Sequence, residues 1–391
     1  MSTVVILGAG MVGSTMAIDL ASEADVDVTI CDRSQAALDA VSNRVRALCS
    51  RAITTQVADL SDASAIARVA ASADVVMGAL PSVLGLNALR AVIESQTPYV
   101  DISFMPEDAL TLDAFAQQYS VPAIVDCGVA PGLSNLLAAA SSHEFDECHS
   151  IDIFVGGLPR ERRVPFEYKA AFAPYDVIEE YTRPARLVEH CRIVTREALS
   201  EAEMLEFDGD FFPGVGTLEA FNTDGLRSLI ETLHGVPFMR EKTMRYPGHA
   251  QLMKAFRATG LFSHDEVDVR GQRVRPIDLT SALLFPKWTY EEGEADITVM
   301  RIIVDGSKAG ARHQTIWELF DVMDTASGCS SMSRTTAFPA TFMARELLAG
   351  NIQQKGVLPP EKLGKDDDLV DRMLEALRER SVSIRRIDRA L

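Results

Sequence analysis

The sequence has no cysteine pair in C-x-x-C spacing, no long apolar run and comparatively few basic residues. Its six cysteines are scattered over 391 residues, which argues against a disulfide scaffold and against a zinc ribbon. No apolar stretch approaches the roughly 18 residues of a transmembrane helix. The 38 lysines and arginines stand against 56 aspartates and glutamates, for a formal net charge of −18. This balance argues against nucleic acid or an anionic membrane as a partner.

The composition is that of a folded protein. Hydrophobic residues make up 47% of the chain, which excludes an intrinsically disordered protein, and the length suggests two domains. The first apolar run begins at Thr3, so we expect no signal peptide and a cytoplasmic protein. Histidines, cysteines and carboxylates show no metal-ligand spacing, so we expect no metal.

Residues 1–131 alternate between short apolar runs and helical patterns. Such alternation predicts an α/β domain with a parallel sheet covered on both faces, the Rossmann-type dinucleotide-binding fold. The six predicted strands cover residues 4–7, 26–31, 53–57, 74–79, 99–102 and 123–125.

The pattern changes after residue 132. Longer runs with polar alternation predict a second, α+β domain over residues 132–328 with a largely antiparallel sheet. Residues 295–305 and 312–322 are predicted to be antiparallel neighbours, and residues 186–195 to form one strand. Residues 329–391 contain two helical patterns, 333–348 and 366–380.

The strongest motif is Gly-Ala-Gly-Met-Val-Gly, which follows the first predicted strand and opens a predicted helix. This is the context that a dinucleotide-binding G-x-G-x-x-G requires. The first glycine permits a tight turn, the second lets the backbone approach a pyrophosphate, and the third lets helix and strand pack closely. The predicted cofactor-binding residues here are Gly8, Gly10, Met11, Val12 and Gly13.

Other predicted cofactor contacts follow later strands. Asp32 lies 19 residues after Gly13, a spacing typical of an acidic residue that binds the adenosine ribose, and this favours NAD over NADP. Arg33 favours NADP instead, because an arginine at this position can bind a 2′-phosphate. Because ligands of open α/β sheets bind beyond the carboxyl ends of the strands, we add the segments after the third and fourth strands. Their residues are Asp59, Ala79, Leu80 and Pro81.

The sequence resembles the saccharopine dehydrogenase superfamily and, within it, the lysine 6-dehydrogenases. Seven blocks, in order and over nearly the whole chain, carry the resemblance. They are GALP at 78–81, VDISFMPE at 100–107, APGLSN at 130–135, VGGLP at 155–159, EYTRPAR at 180–186, DGLRS at 224–228 and RYPGH at 245–249.

The resemblance implies a Rossmann domain, an inserted domain for substrate binding and oligomerisation, and a C-terminal helix that returns to the Rossmann domain. It implies NAD-dependent oxidation of the ε-carbon of L-lysine by a homodimer or homotetramer. The products would be ammonia and 2-aminoadipate 6-semialdehyde, which cyclises to piperideine-6-carboxylate. Two alternatives stay open: a saccharopine dehydrogenase acting on the lysine–glutamate secondary amine, and a non-catalytic NAD-binding sensor.

One position bears on the substrate. Saccharopine-handling members of the superfamily place an arginine between the Asn and Asp that match Asn222 and Asp224, where it pairs with a substrate carboxylate. Here the residue is Thr223. A substrate with one carboxylate needs fewer arginines, so this departure favours free lysine over saccharopine, although Arg227 offers an alternative guanidinium.

The chemistry identifies candidate catalytic and substrate-binding residues. An amine of pKa ~10.4 must lose a proton before hydride transfer. Asp101 is the first candidate for the carboxylate that accepts this proton, and Glu219 and Asp224 are the second candidates. The α-carboxylate of lysine needs a cation as partner, and side-chain amides can hydrogen-bond to the α-amino group or the carboxylate. Cys127 is interpreted as a packed cysteine. The predicted substrate-binding residues are Phe104, Asn135, Asn222, Asp224, Arg227, Arg245 and His249, the last also a candidate base.

Overall fold

A computed structural model describes residues 1–170 and 174–391. The chain divides into two compact units. The first comprises residues 1–140 and 333–381, and the second comprises residues 141–332 and 382–391. Residues 333–381 of the C-terminal segment 329–391 lie in the first unit, and residues 329–332 and 382–391 lie in the second. Among the described residues, no helix combines the length and the apolar character needed to cross a membrane.

The described strands and helices alternate regularly at first and then lengthen. In chain order, the strands are β1 (Ser2–Leu7), β2 (Val26–Asp32), β3 (Thr54–Val57), β4 (Val75–Gly78), β5 (Tyr99–Asp101), β6 (Pro122–Ile124), β7 (Glu147–Pro159), β8 (Ala185–Glu189), β9 (Arg192–Arg196), β10 (Glu203–Phe207), β11 (Gly216–Asn222), β12 (Phe238–Arg245), β13 (Val267–Val269), β14 (Gln272–Val274), β15 (Asp296–Lys308), β16 (Ala311–Val322), β17 (Gly356–Leu358) and β18 (Ser383–Ala390). The α-helices are α1 (Met11–Ala21), α2 (Gln35–Cys49), α3 (Ala63–Ala70), α4 (Gly85–Glu94), α5 (Asp113–Gln118), α6 (Leu133–His143), α7 (Pro174–Thr182), α8 (Leu229–Thr232), α9 (His249–Ala258), α10 (Pro276–Trp288), α11 (Ser331–Leu348) and α12 (Asp367–Glu379).

The first unit contains the predicted parallel sheet. Its strand order is β17-β6-β5-β4-β1-β2-β3, and every neighbouring pair is parallel. The central strands β1 and β4 are apolar because both faces of the sheet are covered there: Val4–Leu7 and the whole of β4 are buried. The Rossmann-type fold class is confirmed, with β17 added at the edge beside β6.

The C-terminal helices of the first unit are held by a buried carboxylate. Asp19 of α1 accepts hydrogen bonds from Arg380 at 2.7 Å and from the Thr341 hydroxyl at 2.6 Å, and it pairs with Arg345 at 2.9 Å. Helix α12 turns one face inward and begins at Asp366, whose side chain accepts from the Leu369 amide. These contacts give residues 333–381 a defined place in the first unit.

The second unit is built on a mixed, largely antiparallel sheet, as predicted. Its main path is β10-β11-β12-β7-β15-β16-β18, and β8 joins it by pairing with β12 and with β9. The β12–β7 pair is parallel. The predicted pairing of residues 295–305 with 312–322 is confirmed by the β15–β16 ladder, in which Asp305 lies opposite Gln314.

The prediction of one strand over residues 186–195 is wrong. The segment forms the β8–β9 hairpin, in which Glu189 pairs with Arg192. His190 and Cys191 make the turn with φ of 50° and 59°. A two-residue hairpin turn requires positive φ at both residues, and glycine and asparagine usually occupy these positions. Because neither is present here, the sequence did not indicate the turn.

Candidate active site

The Gly8–Gly13 loop joins β1 to α1 and depends on three glycines for different reasons. Gly8 has φ of 105°, which strongly favours glycine. A Cβ on Gly13 would lie 2.0 Å from the Gly8 carbonyl oxygen, so only glycine allows the helix so close to the loop. A Cβ on Gly10 would meet nothing within 4 Å, and Gly10 is exposed. The loop therefore leaves open space where the motif predicts a pyrophosphate.

The N-terminus of α1 fits that interpretation. Helix α1 begins at Met11, which is exposed, and no side chain caps it at Gly10. The first amides of a helix have no intrahelical acceptor and attract phosphate oxygens. The loop and the helix end together can hold a dinucleotide through its phosphates, with Val12 half-buried behind them.

Asp32, Arg33 and Asp59 are the residues predicted to lie near the adenosine of a bound dinucleotide. Asp32 Oδ2 accepts from the Ala9 amide at 2.8 Å, and its Oδ1 accepts from the Ser34 amide at 2.8 Å. Asp32 thus fixes the glycine loop and the start of α2. Asp59 is exposed, and hydrogen bonds from Ser61, together with the charge of exposed Arg33, lower the pKa of its carboxyl.

The segment after β4 lies directly against the glycine loop. The Ala79 amide donates to the Leu7 carbonyl at 2.8 Å, and a Cβ on Gly8 would lie 2.4 Å from the Ala79 carbonyl oxygen. The Leu80 carbonyl accepts from the Ser103 hydroxyl at 3.3 Å, and Pro81 follows, exposed. These contacts place the segment after β4 between the loop and the end of β5.

Asp101, the last residue of β5, is fully buried. Its Oδ1 accepts from the Ser103 hydroxyl at 2.9 Å, whereas its Oδ2 has no hydrogen-bond partner among the described residues. Burial raises the pKa of Asp101 to about 7, the neighbouring Asp126 also raises it, and the Ser103 hydrogen bond opposes them. A carboxyl that changes its charge near neutral pH and keeps one oxygen unbonded can accept a proton from a bound substrate.

The other predicted site residues of the first unit take varied positions. Phe104 is half-buried in the segment after β5. Cys127 is buried, its amide donates to the Asp101 carbonyl at 2.9 Å, and burial raises the pKa of its thiol, which disfavours a thiolate nucleophile. Asn135 is buried on α6, where its side chain accepts from Ser134 at 2.9 Å and donates to Glu361 at 3.5 Å.

In the second unit the structure brings Arg245 and His249 together around a tyrosine. The Tyr181 hydroxyl lies 2.9 Å from His249 Nε2 and accepts from Arg245 Nε at 3.2 Å. Arg245 Nη2 also donates to Glu180 at 3.0 Å, and the guanidinium lies 4.6 Å from the ring centroid of Tyr168. Sequence reasoning missed the three partners, although Glu180 and Tyr181 lie in the EYTRPAR block.

His249 is a poor base in this position. Its Nδ1 lies 3.2 Å from the Phe166 carbonyl oxygen. Burial, together with the charge of Arg245, lowers the pKa of His249 to about 3. The ring is therefore neutral at physiological pH, and its place in the Arg245–Tyr181 network accounts for its burial.

The alternative carboxylates are occupied by contacts within the second unit. Glu219 Oε2 accepts from the Gly248 and Ala250 amides, each at 3.0 Å, and so caps the start of α9. Asp224 makes a bidentate pair with Arg186, at 2.9 and 3.0 Å. Both carboxylates therefore have structural roles in this unit.

The neighbouring polar residues are also buried. The Asn222 amide donates to Ser200 at 3.1 Å and to Glu201 at 3.0 Å. The Thr223 hydroxyl donates at 2.6 Å to Glu241, a buried carboxyl that the sequence reasoning missed. Burial raises the pKa of Glu241 to about 8, helped by the charges of Glu180 and Asp224. Arg227 is buried at φ of 54°.

Two family models account for almost the whole chain. The saccharopine dehydrogenase NADP binding domain matches residues 4–124, and the saccharopine dehydrogenase C-terminal domain matches residues 128–382. The chain belongs to the saccharopine dehydrogenase family. It is an oxidoreductase of this family with a nicotinamide-cofactor domain at its N-terminal end, and the resemblance to the superfamily is confirmed.

Two relatives match the chain over nearly their full lengths. Carboxyaminopropylagmatine dehydrogenase of Synechocystis is 24% identical over 94% of each chain. The NADP-dependent, L-glutamate-forming saccharopine dehydrogenase of Saccharomyces cerevisiae is 22% identical over 91% of this chain and 93% of its own. A solved structure of the L-glutamate-forming saccharopine dehydrogenase from Saccharomyces cerevisiae has a TM-score of 0.79 at 19% identity and covers 100% of both chains, which supports the fold. Among the described residues, no group of histidines, cysteines and carboxylates has the arrangement of a metal site.

Proposed function

We propose that this protein oxidises the ε-carbon of L-lysine with NAD⁺. Lysine, NAD⁺ and water would give 2-aminoadipate 6-semialdehyde, ammonium, NADH and a proton, and the semialdehyde would cyclise with loss of water to piperideine-6-carboxylate. The observation that carries the proposal is the buried Asp101 carboxyl, with one unbonded oxygen, at the carboxyl end of the cofactor sheet. In open α/β sheets this edge is where ligands bind.

In this proposal Asp101 handles the proton of the substrate amine. The ammonium form of lysine carries no lone pair, so the ε-nitrogen must lose a proton before its carbon can release a hydride. Asp101 in its ionised form accepts that proton through Oδ2, while Ser103 holds Oδ1. The half-buried Phe104 nearby supplies an apolar surface that favours the neutral amine over the ammonium. The bound nicotinamide supplies the hydride acceptor.

We propose NAD rather than NADP as the cofactor. The Asp32 carboxylate, fixed by the Ala9 and Ser34 amides, would repel a 2′-phosphate on the adenosine ribose. The alternative is NADP, which the name of the matching cofactor domain and the exposed Arg33 both favour. Arg33 would then hold the phosphate.

The substrate proposal rests mainly on residues of the second unit. Thr223 replaces the arginine expected of saccharopine-handling relatives, and its hydroxyl is bonded to the buried Glu241. We propose Arg227 and Arg245 as cations for the lysine α-carboxylate, and Asn135, Asn222, Asp224 and His249 as further substrate-site residues. Arg245 already donates within its own unit, so its variants must be checked for folding as well as for binding.

The second candidate function is oxidation of a secondary amine that carries an amino-acid arm. It is favoured by the names of the two relatives, a saccharopine dehydrogenase and a carboxyaminopropylagmatine dehydrogenase. Arg227 would then bind the additional carboxylate. Both candidates remove a hydride from a carbon bonded to nitrogen, and both can use Asp101 in the same way.

One set of assays separates the candidates. NADH formation is followed at 340 nm with purified protein and lysine, saccharopine or carboxyaminopropylagmatine. We expect the highest kcat/KM with lysine. Higher kcat/KM with either secondary amine selects the second candidate, and binding of NAD without turnover of any of the three supports a sensor. We also propose a cytoplasmic homodimer or homotetramer without nucleic-acid or membrane partners.

A further inference from the structure

We propose that Tyr99 is a positioning residue for Asp101: its hydroxyl donates a hydrogen bond to the ionised carboxylate and sets the pH at which that carboxylate can work. The proposal rests on the proposed function only in giving Asp101 a catalytic role. Tyr99 is not expected to touch the substrate or the cofactor. It would act through Asp101.

The geometry follows from the pairing of β4 with β5. Tyr99 and Asp101 are two residues apart on β5, so their side chains lie on the same face of the sheet. Gly78 on β4 is the register partner of Asp101. A Cβ on Gly78 would lie 2.0 Å from the Tyr99 hydroxyl oxygen and 2.3 Å from Asp101 Oδ1. Glycine at this position therefore lets the hydroxyl and the carboxyl occupy neighbouring places above one strand.

Two buried polar atoms at this place, the Tyr99 hydroxyl and Asp101 Oδ2, have no hydrogen-bond partner among the described residues. Tyr99 is fully buried. Buried polar atoms without partners are rare and costly. Burial and the charge of Asp101 hold the pKa of Tyr99 well above 10, so the phenol keeps its proton at any working pH. A hydrogen bond to the Asp101 carboxyl would satisfy this hydroxyl, and it is stronger when Asp101 is ionised.

Besides burial, three neighbours affect how easily Asp101 ionises: Asp126, Ser103 and Tyr99. Asp126, in the segment after β6, disfavours the ionised form by charge repulsion. Cys127 in the same segment is a neutral thiol, because burial raises its pKa. Ser103 and Tyr99, on either side of Asp101, offer hydroxyl donors that stabilise the carboxylate. Removing the Tyr99 hydroxyl should therefore raise the pKa of Asp101 further, because one of the groups that oppose burial and the Asp126 charge is lost.

The first test is the pH profile of Tyr99→Phe, which deletes the hydroxyl and keeps the ring. We expect the acidic limb of kcat/KM to move up by about one pH unit, with kcat at high pH within about threefold of wild type and the Kd for NAD unchanged. The control is Tyr119→Phe, a half-buried tyrosine of the same unit that packs on Phe115. A Tyr99→Phe profile that superimposes on the wild-type profile would overturn the proposal.

The second test does not depend on turnover, so it separates failure of this proposal from failure of the proposed function. Above pH 7 the wild-type Asp101 is ionised and bonded to Tyr99, whereas below pH 6 it is neutral in both proteins. The Tm of Tyr99→Phe relative to wild type should therefore fall by about 2–4 °C between pH 6 and pH 9. In an Asp101→Asn background the difference should not change with pH. If the Tm difference between Tyr99→Phe and wild type does not change with pH while Asp101 is present, the proposed hydrogen bond is refuted, even if Asp101→Asn proves fully active.

Discussion

At the scale of single residues, Asp101 carries the most chemical information. Because burial raises the pKa of Asp101 to about 7, the ionised form becomes the major form only above that pH, and we expect kcat/KM to rise between pH 6 and 8. Asp101→Asn should lower kcat by roughly 10²–10⁴ with little change in NAD binding. Steady-state kinetics and cofactor titration check this, with Asp27→Asn on the exposed side of β2 as the control. If turnover survives while NAD binding weakens, Asp101 contacts the cofactor instead.

Asp32 is the residue on which cofactor choice depends. We expect wild type to have at least tenfold higher kcat/KM with NAD than with NADP, and Asp32→Ala to lower this ratio because it removes the charge that repels a 2′-phosphate. The variant should also lose stability, since Asp32 accepts from the Ala9 and Ser34 amides. Thermal unfolding without cofactor measures that loss separately. A wild-type preference for NADP would instead assign the phosphate to Arg33.

The sequence identified individual side chains well where a backbone motif fixes them, and poorly where tertiary packing does. The roles of Gly8 and Gly13 follow from the motif: Gly8 has the positive φ of a tight turn, and Gly13 makes the predicted close approach. Glu241 and Tyr181 could not be found, because a buried carboxyl on β12 and a tyrosine on α7 have no distinguishing local pattern. Their significance depends on Thr223 and Arg245, which are far away in sequence.

At the scale of elements, helix α9 offers a test of how the second unit positions Arg245 and His249. Glu219 on β11 accepts from the Gly248 and Ala250 amides at the helix start. Glu219→Ala should reduce the free energy of unfolding by about 1–2 kcal/mol, whereas Glu219→Gln keeps an acceptor oxygen and should recover part of it. Chemical denaturation measures both, with exposed Glu292→Ala as the control. An unchanged stability in Glu219→Ala would mean that water replaces the cap.

The elements that sequence patterns predicted are those whose own residues decide their structure. Apolar runs predicted six of the seven strands of the first sheet, and alternation predicted β15 and β16. Strand β17 has only three residues and is a strand because it pairs with β6. The β8–β9 hairpin was missed because its turn uses His190 and Cys191 at positive φ rather than glycine.

At the scale of the whole molecule, assembly is the expectation to test. The family resemblance implies a homodimer or homotetramer. Sedimentation velocity at micromolar concentration should show a species of at least twice 42.6 kDa. A single 42.6 kDa species across the concentration range would contradict the expectation. Repeating the run with saturating NAD would show whether the cofactor changes the association.

The first unit is discontinuous along the chain, and this has a consequence for synthesis. Asp19 cannot pair with Arg345 and Arg380, and β6 cannot pair with β17, until some two hundred residues of the second unit have been synthesised. During translation the cofactor half is therefore an unfinished fold with an uncovered sheet edge, the kind of surface on which nascent chains aggregate or recruit chaperones. A ribosome stalled before residue 381 would hold a chain that has its complete glycine loop and still lacks the contacts that close the domain around it.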